Sequence, residues 1–286
     1  MAKEVVFNLG YSKLAGKQWL SSNPSALRVL SLHGWLDNAA SFDNLAPYLS
    51  DFNHVALDQS GHGLSDHKPD GSFYHLWDHA LDAIRVLQNS TQSSWVIGHS
   101  MGGAVAMLVA ALAPEKVRGL IILDNMGPLS ASPHERVVTM QRAMQKMLKY
   151  RGDRQVRYPQ LADLVHARMQ GMTKLSEAAA TPLVRRAAQE TEHGWHWRHD
   201  PKLTFPSPFR MDEAAVEAFI SEIKCPTLAL VAEEGIYQDN LTLVKKRSEA
   251  FPWIKLEWLP GGHHFHLEPS TATLVAQQIT KFIDQN

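Results

Sequence analysis

The sequence has a single cysteine, Cys225, among its 286 residues. An intrachain disulfide is therefore excluded, and the usage fits a reducing, cytoplasmic setting in which Cys225 is a small buried hydrophobe at the start of a strand. No apolar run approaches the ~18 residues of a membrane helix. The N-terminal segment Met1-Ala-Lys-Glu-Val-Val-Phe-Asn8 has no signal-peptide core, and the C-terminal Ile-Asp-Gln-Asn286 carries no targeting tripeptide. Charge of one sign is missing too: 28 Lys and Arg face 29 Asp and Glu, a net charge of -1. Nothing in that balance points to a nucleic-acid partner or an anionic membrane surface. Internal repeats and low-complexity segments are absent. The hydrophobic share is 44%, and the length is enough for one large α/β domain or two small ones with a sizeable core.

What is present centres on Ser94-Ser-Trp-Val-Ile-Gly-His-Ser-Met-Gly-Gly103. Trp95 to Ile97 is an apolar run suited to a buried strand. Gly98-His-Ser-Met-Gly102 fits G-x-S-x-G, and a small-residue helix, Ala104 to Leu112, follows at once. That is the setting of a nucleophile elbow, in which the serine sits in a strained turn and its neighbours two positions away must be nearly free of side chain.

Around it the chain alternates. Residues 4–9 and 14–20 read as an antiparallel pair of strands around Gly10. Strands are expected at Leu27–Leu32, His54–Asp58, Trp95–Ile97, Gly119–Asp124, Pro226–Val231 and Ile254–Leu259. Helices are expected over Phe42–Leu49 (short), Phe73–Leu87, Ala214–Ile223, Leu241–Phe251 and Ser270–Ile283. Strands alternating with helices from Leu27 onward mean parallel strands joined by right-handed crossovers, with helices on both faces. From Pro128 to Arg210 the alternation stops. Helical stretches at Arg136–Tyr150, Tyr158–Met172 and Thr181–Glu190, without a convincing buried strand, read as an inserted cap. The expected organisation is a core of residues 1–127 and 211–286 with a helical cap or lid of residues 128–210.

In parallel α/β sheets the reactive residues gather at the C-terminal strand ends. Four such ends carry His33-Gly-Trp35, Ser100, Asp124 and Gly261-Gly-His-His-Phe-His266. With the elbow, these resemble the α/β-hydrolase superfamily over nearly the whole chain outside the cap. The stretches His33-Gly-Trp-Leu-Asp-Asn-Ala-Ala-Ser-Phe-Asp43, Asp58-Gln-Ser-Gly-His-Gly-Leu-Ser65 and Trp197-Arg-His-Asp-Pro-Lys-Leu203 are similar to its serine-hydrolase-like branch. The resemblance implies a mostly parallel eight-stranded sheet and a triad in the order Ser, acid, His. Ser100 would be the nucleophile and His263 the base, with His264 and His266 as rivals a step away. The backbone N–H groups of Trp35 and Met101 would form the oxyanion hole. Many relatives carry the acid after the strand corresponding to Pro226–Val231, but here Gly235 stands at that position, with Glu233 and Glu234 one or two residues off register. A smaller group places it where Asp124 stands, and Asp124 is the expected acid. Trp195 and Trp197 are candidate substrate-binding residues where the cap returns, or packing aromatics. A metal reading of His263, His264 and His266, or of His193, His196 and His199, lacks a Cys or carboxylate partner at ligand spacing.

The expected activity is a cofactor-independent serine hydrolase cleaving a carboxylic ester of a small molecule through an acyl-enzyme. Thioesterase or C–C bond hydrolase chemistry, or a non-catalytic ligand-binding protein on the same fold, are the alternatives.

Overall fold

In the computed structural model, which describes residues 2–152 and 156–286, eight strands form one sheet. They are β1 (Lys3–Asn8), β2 (Lys13–Trp19), β3 (Arg28–Leu32), β4 (Asn53–Leu57), β5 (Ser94–His99), β6 (Val117–Leu123), then β9 (Thr227–Glu234) and β10 (Ile254–Gly262). The strands β7 (Ala188–Thr191) and β8 (Gly194–Trp197) form a separate hairpin. The helices are α1 (Leu76–Gln88), α2 (Met101–Leu112), α3 (Arg136–Lys149), α4 (Leu161–Met169), α5 (Glu177–Ala187), α6 (Glu213–Ser221), α7 (Leu241–Ala250) and α8 (Ala272–Asp284). The sheet order is β1-β2-β4-β3-β5-β6-β9-β10. β2 runs antiparallel to both β1 and β4, and the remaining pairs are parallel.

Because successive strand residues point to opposite faces, each central strand supplies two cores at once. Val96, Leu120, Ile122, Ala229 and Val231 pack on one side with α1, α2, α6 and α7. Trp95, Ile97, Ile121, Leu123, Leu228 and Leu230 pack on the other, with α8 and the turns that follow β3. Burying each Val, Leu or Ile among them contributes about 1.5–3 kcal/mol. This apolar-on-both-faces pattern made the parallel strands visible in the sequence. It also fixes β5 and β6 side by side, so that residues 100 and 124 emerge at neighbouring strand ends.

Several boundaries differ from expectation. The short helix expected at Phe42–Leu49 is instead two 3₁₀ turns, Ala39–Phe42 and Ala46–Leu49. Asn38 caps the first, accepting from Ala40 N, and Pro47 opens the second. The helix expected at Thr181–Glu190 starts at Glu177, where the Ser176 hydroxyl accepts from Ala179 N, and ends at Ala187. The chain then turns into the β7–β8 hairpin, four pairs long and hinged at Gly194 with φ 103°. Only Ala188 and His196 in that hairpin are buried, so its apolar alternation was too weak to read as a strand. Cys225 is half-buried rather than buried, and burial pushes its thiol pKa up, away from reactivity.

Between β6 and α6 the chain leaves the sheet and builds α3, α4, α5 and the hairpin. Leu164, Val165, Leu175, Ala179, Ala180, Leu183, Val184 and Ala188 form their own small core, into which Leu267 of the β10–α8 loop inserts. Two arginines pin this layer to the sheet end. Arg186 of α5 sends Nε to both carboxylate oxygens of buried Asp58 at 2.9 Å, and Nη1 to Glu4. Arg168 of α4 sends Nη2 to Asp37 Oδ1 at 2.8 Å. Removing one partner of such a buried pair strands the other charge and costs about 3–5 kcal/mol.

Candidate active site

Ser100 occupies the turn between β5 and α2 with φ 50° and ψ -119°, a conformation an L-residue adopts only when its surroundings enforce it. The enforcement is visible on both sides. A Cβ on Gly98 would lie 2.3 Å from Gly102 O, and one on Gly102 would lie 2.1 Å from Leu32 O. Strand and helix therefore close together only because both positions lack side chains. Among the described residues the non-glycine positions with positive φ are Leu36, Ser100 and Asp124. All three stand at C-terminal strand ends that carry the candidate residues, and strain concentrated there is the pattern of a built site.

Leu36, φ 60°, is the third residue of a turn closed by Asp37 N donating to Gly34 O at 3.2 Å. This turn lays Gly34 against the elbow, where a Cβ would stand 3.0 Å from His99 Nδ1 and 3.2 Å from Ser100 Cβ. The peptide leading into Trp35 is thereby brought beside Ser100. The Trp35 indole N–H donates to Leu203 O at 2.9 Å, anchoring the turn from the side. Met101 opens α2, so its backbone N–H has no intrahelical acceptor.

Asp124 follows β6 with φ 44° and is fully buried. Its Oδ1 accepts from Ala232 N and its Oδ2 from Ile236 N, both at 3.0 Å, and Oδ2 also lies 2.5 Å from His263 Nδ1. A carboxylate oxygen accepts, so Nδ1 is the ring nitrogen that donates in this contact, and Nε2 is the one left to face elsewhere. Gly235 has a physical reason in this geometry: a Cβ there would sit 2.4 Å from Asp124 Oδ2. The glycine makes room for the carboxylate that arrives from the neighbouring strand. Glu233 and Glu234 are exposed.

The other histidines of the Gly261–His266 loop are engaged elsewhere. His264 Nε2 lies 2.9 Å from Asp37 Oδ2, and its Nδ1 is 3.3 Å from the Thr173 hydroxyl. His266 Nε2 pairs with Ser41 Oγ at 2.9 Å. His99, inside the elbow, holds the carbonyl of His263 from Nε2 at 2.9 Å. Its Nδ1 is buried without a hydrogen-bond partner, 3.9 Å from Asp37 Oδ2. Burial pushes His99 and His266 well below the ordinary histidine range, and neighbouring imidazoles add to it. His264 is lowered by burial against the pull of Asp37. Burial opposes ionisation of Asp37 as well, yet His264 and Arg168 outweigh it and hold that carboxyl well below the usual range.

Asp37, His99 and His264 bring ligand-type atoms within 4.8 Å of one another. The Arg168 guanidinium already sits in this group, 2.8 Å from Asp37 Oδ1 and 3.1 Å from His264 Nε2, and supplies its cation. Trp195 and Trp197 lie on β8, half-buried against the small core that α4, α5 and Leu267 form, with Trp197 edge-on to Tyr158. A cleft of about 940 Å³ lies beside α5, lined by Lys17, Asp43, Arg185 and Arg186 among others, and none of the candidate catalytic residues lines it.

Sequence reasoning missed Asp37, His99 and Arg168. The first two lie inside motifs already singled out, but nothing in the spacing announced that they meet. Arg168 sits 131 positions from Asp37 and has no local signal at all.

A strained serine on a strand–turn–helix, at the C-terminal end of an eight-stranded sheet of this order, defines an α/β hydrolase. The model of the alpha/beta hydrolase fold family matches residues 28–189. A serine hydrolase-like protein of Dictyostelium discoideum is 32% identical over 98% of this chain and 81% of its own length. The crystal structure of a hypothetical protein, PA1622, from Pseudomonas aeruginosa superposes with a TM-score of 0.93 at 35% identity, covering 99% of both chains. A thioesterase domain from the curacin biosynthetic pathway shares the fold, with a TM-score of 0.84 at 23% identity over 98% of this chain and 99% of that one. The chain belongs to the α/β-hydrolase family and, within it, to the serine-hydrolase-like branch. It is a hydrolase of the α/β fold, and no helix among the described residues is long and apolar enough to cross a membrane.

Proposed function

We propose that the protein hydrolyses carboxylic esters of small molecules through an acyl-enzyme on Ser100, with His263 as general base and Asp124 as the orienting acid. The observation that carries this reading is the 2.5 Å contact between His263 Nδ1 and a carboxylate buried at the strand end next to the elbow. Such a contact supports the tautomer in which Nε2 takes a proton.

In this mechanism Ser100 Oγ attacks the acyl carbon as its proton passes to His263 Nε2. The carbonyl electron pair moves onto oxygen, where the N–H groups of Trp35 and Met101 meet the developing charge. Collapse breaks the bond to the leaving alkoxide, which takes the proton back from the imidazolium. Water then repeats the sequence, with His263 accepting its proton, and frees the acid. The 128–210 segment acts as the cap that shapes the acyl pocket, and Trp195 and Trp197 contribute by shaping the cap. Ester and thioester cleavage pass through the same acyl-serine, so a panel of both tests the choice. Mass spectrometry of rapidly quenched reactions should find the acyl group on Ser100, with the p-nitrophenyl ester series turned over faster than the matched thioesters. Faster thioesters would move the assignment to a thioesterase, and no acyl adduct with either would remove the mechanism.

A further inference from the structure

The three chain segments that carry the proposed chemistry each place a buried neighbour in one polar cluster. Asp37 lies two residues after Trp35, His99 immediately precedes Ser100, and His264 immediately follows His263. Asp37, His99 and His264 are all buried. Asp37 Oδ2 faces both imidazoles, at 2.9 Å from His264 Nε2 and 3.9 Å from His99 Nδ1. His99 in turn holds the backbone carbonyl of His263. The elbow, the oxyanion turn and the base loop are therefore cross-tied beneath the site.

A buried carboxylate with two neutral imidazoles is not a stable arrangement on its own, because the charge has lost its hydration. The compensating cation comes from outside the sheet. Arg168, on cap helix α4, reaches Asp37 Oδ1 with Nη2, and Thr173, just beyond α4, meets the far side of His264 through its hydroxyl. One assignment satisfies both carboxylate oxygens and His264 Nδ1: Arg168 donates to Oδ1, His264 Nε2–H donates to Oδ2, and Thr173 donates to His264 Nδ1, while Arg168 Nη2 and His264 Nε2, 3.1 Å apart, stand side by side as donors to the one carboxylate. Without the guanidinium, Asp37 would have to draw a proton or a water into the cluster, turning His264 or the 34–37 turn away from its present position.

We infer that Arg168 is a positioning residue by which the seated cap sets the geometry of the oxyanion turn and the base loop, through Asp37 and His264. The inference rests on the ester-hydrolase reading and adds to it a dependence of turnover on a cap side chain. It concerns catalysis rather than substrate fit, so it must appear with a substrate too small to need the cap.

The test uses p-nitrophenyl acetate and a fluorophosphonate probe on the full-length protein and its Arg168→Met, Arg168→Lys and Arg168→Gly variants, with melting temperature measured for each. Displacing reacting groups by about an ångström costs on the order of 10²-fold. Arg168→Met is accordingly expected to lose ~10- to 100-fold in kcat and in labelling rate with KM within about threefold. Arg168→Lys should lose less, and millimolar guanidinium should raise the Arg168→Gly rate where equal sodium chloride does not. Imidazole ¹⁵N spectra should show His264 and His263 shifted together in Arg168→Met. Wild-type kcat and unmoved imidazole signals in a folded Arg168→Met would overturn the inference. So would a loss that tracks melting temperature and that guanidinium leaves unrepaired, since Arg168 would then be a mechanical tie. If the wild-type protein itself fails to label, the hydrolase reading falls, and the imidazole spectra still decide whether Arg168 positions the loop.

Discussion

Lowering the pH from 7.5 to 5.5 should remove at least about 4 kcal/mol of folding stability, the part carried by two buried histidines and one half-buried one. Burial holds His54 and His79 down to about 3 and His199 to about 4. His54 is fully buried, stacked on Trp19, with Nε2 paired to Ser31 Oγ and Nδ1 without a hydrogen-bond partner. An imidazolium there would be cut off from solvent, with no carboxylate bonded to it. In the unfolded chain the same groups titrate near ~6.5. The unfolded state therefore binds protons first as pH falls. The stability contributed by the neutral fold is complete above that value and is lost progressively toward the folded-state values. One full unit below ~6.5 costs ~1.4 kcal/mol per group, hence about 4 kcal/mol for three, against a typical domain stability of ~5–15 kcal/mol. Asp43 and Asp82, both raised by burial, act in the opposite direction at lower pH, while six further histidines are lowered and add to the loss. Urea titrations at the two pH values measure the difference directly, and His54→Gln should recover ~1.4 kcal/mol of it by removing one titrating group. Stabilities equal to within ~1 kcal/mol at both pH values would refute the reasoning, because the burial it relies on would not exclude the proton.

Asp124→Asn should lower turnover by up to ~10⁴-fold by leaving His263 in the wrong tautomer, whereas the exposed Glu233→Gln and Glu234→Gln should stay within about twofold. Esterase rates at matched melting temperature check this, and collapse of either glutamate variant with near-wild-type Asp124→Asn would move the acid to β9. Gly235→Ala puts a methyl 2.4 Å from Asp124 Oδ2. It should cost ~10²-fold in kcat by displacing the carboxylate from His263, and wild-type kcat would show that the carboxylate tolerates the shift.

The sheet was legible because its strands are apolar on both faces. Trp95–Ile97 and Gly119–Leu123 can be buried nowhere but in the middle of a covered sheet, and the elbow's two glycines have a single steric reading. The β7–β8 hairpin was not, since a strand with only Ala188 and His196 buried leaves no clean alternation. Ser100 and His263 stood out through glycines that flank them in sequence. Asp124 and Glu233 or Glu234 are not distinguishable in the sequence, because burial and the facing of strand ends separate them: Asp124 is buried beside the histidine loop, and the two glutamates are exposed. The cluster beneath the site was least legible of all. Asp37, His99, Arg168 and His264 come from four separate segments, and their meeting depends on how α4 packs against the end of the sheet.

The central claim is that Ser100 is an activated nucleophile, and covalent labelling by a fluorophosphonate probe in wild type and Ser100→Ala tests it most directly. The account predicts one probe per wild-type chain, attached to the Ser100 peptide, and no labelling in Ser100→Ala at an unchanged melting temperature. Ester turnover should fall by at least ~10⁴-fold in the same variant, leaving the residual rate of the binding site and oxyanion donors. A folded Ser100→Ala protein that still labels, or that turns over esters at the wild-type rate, would contradict it.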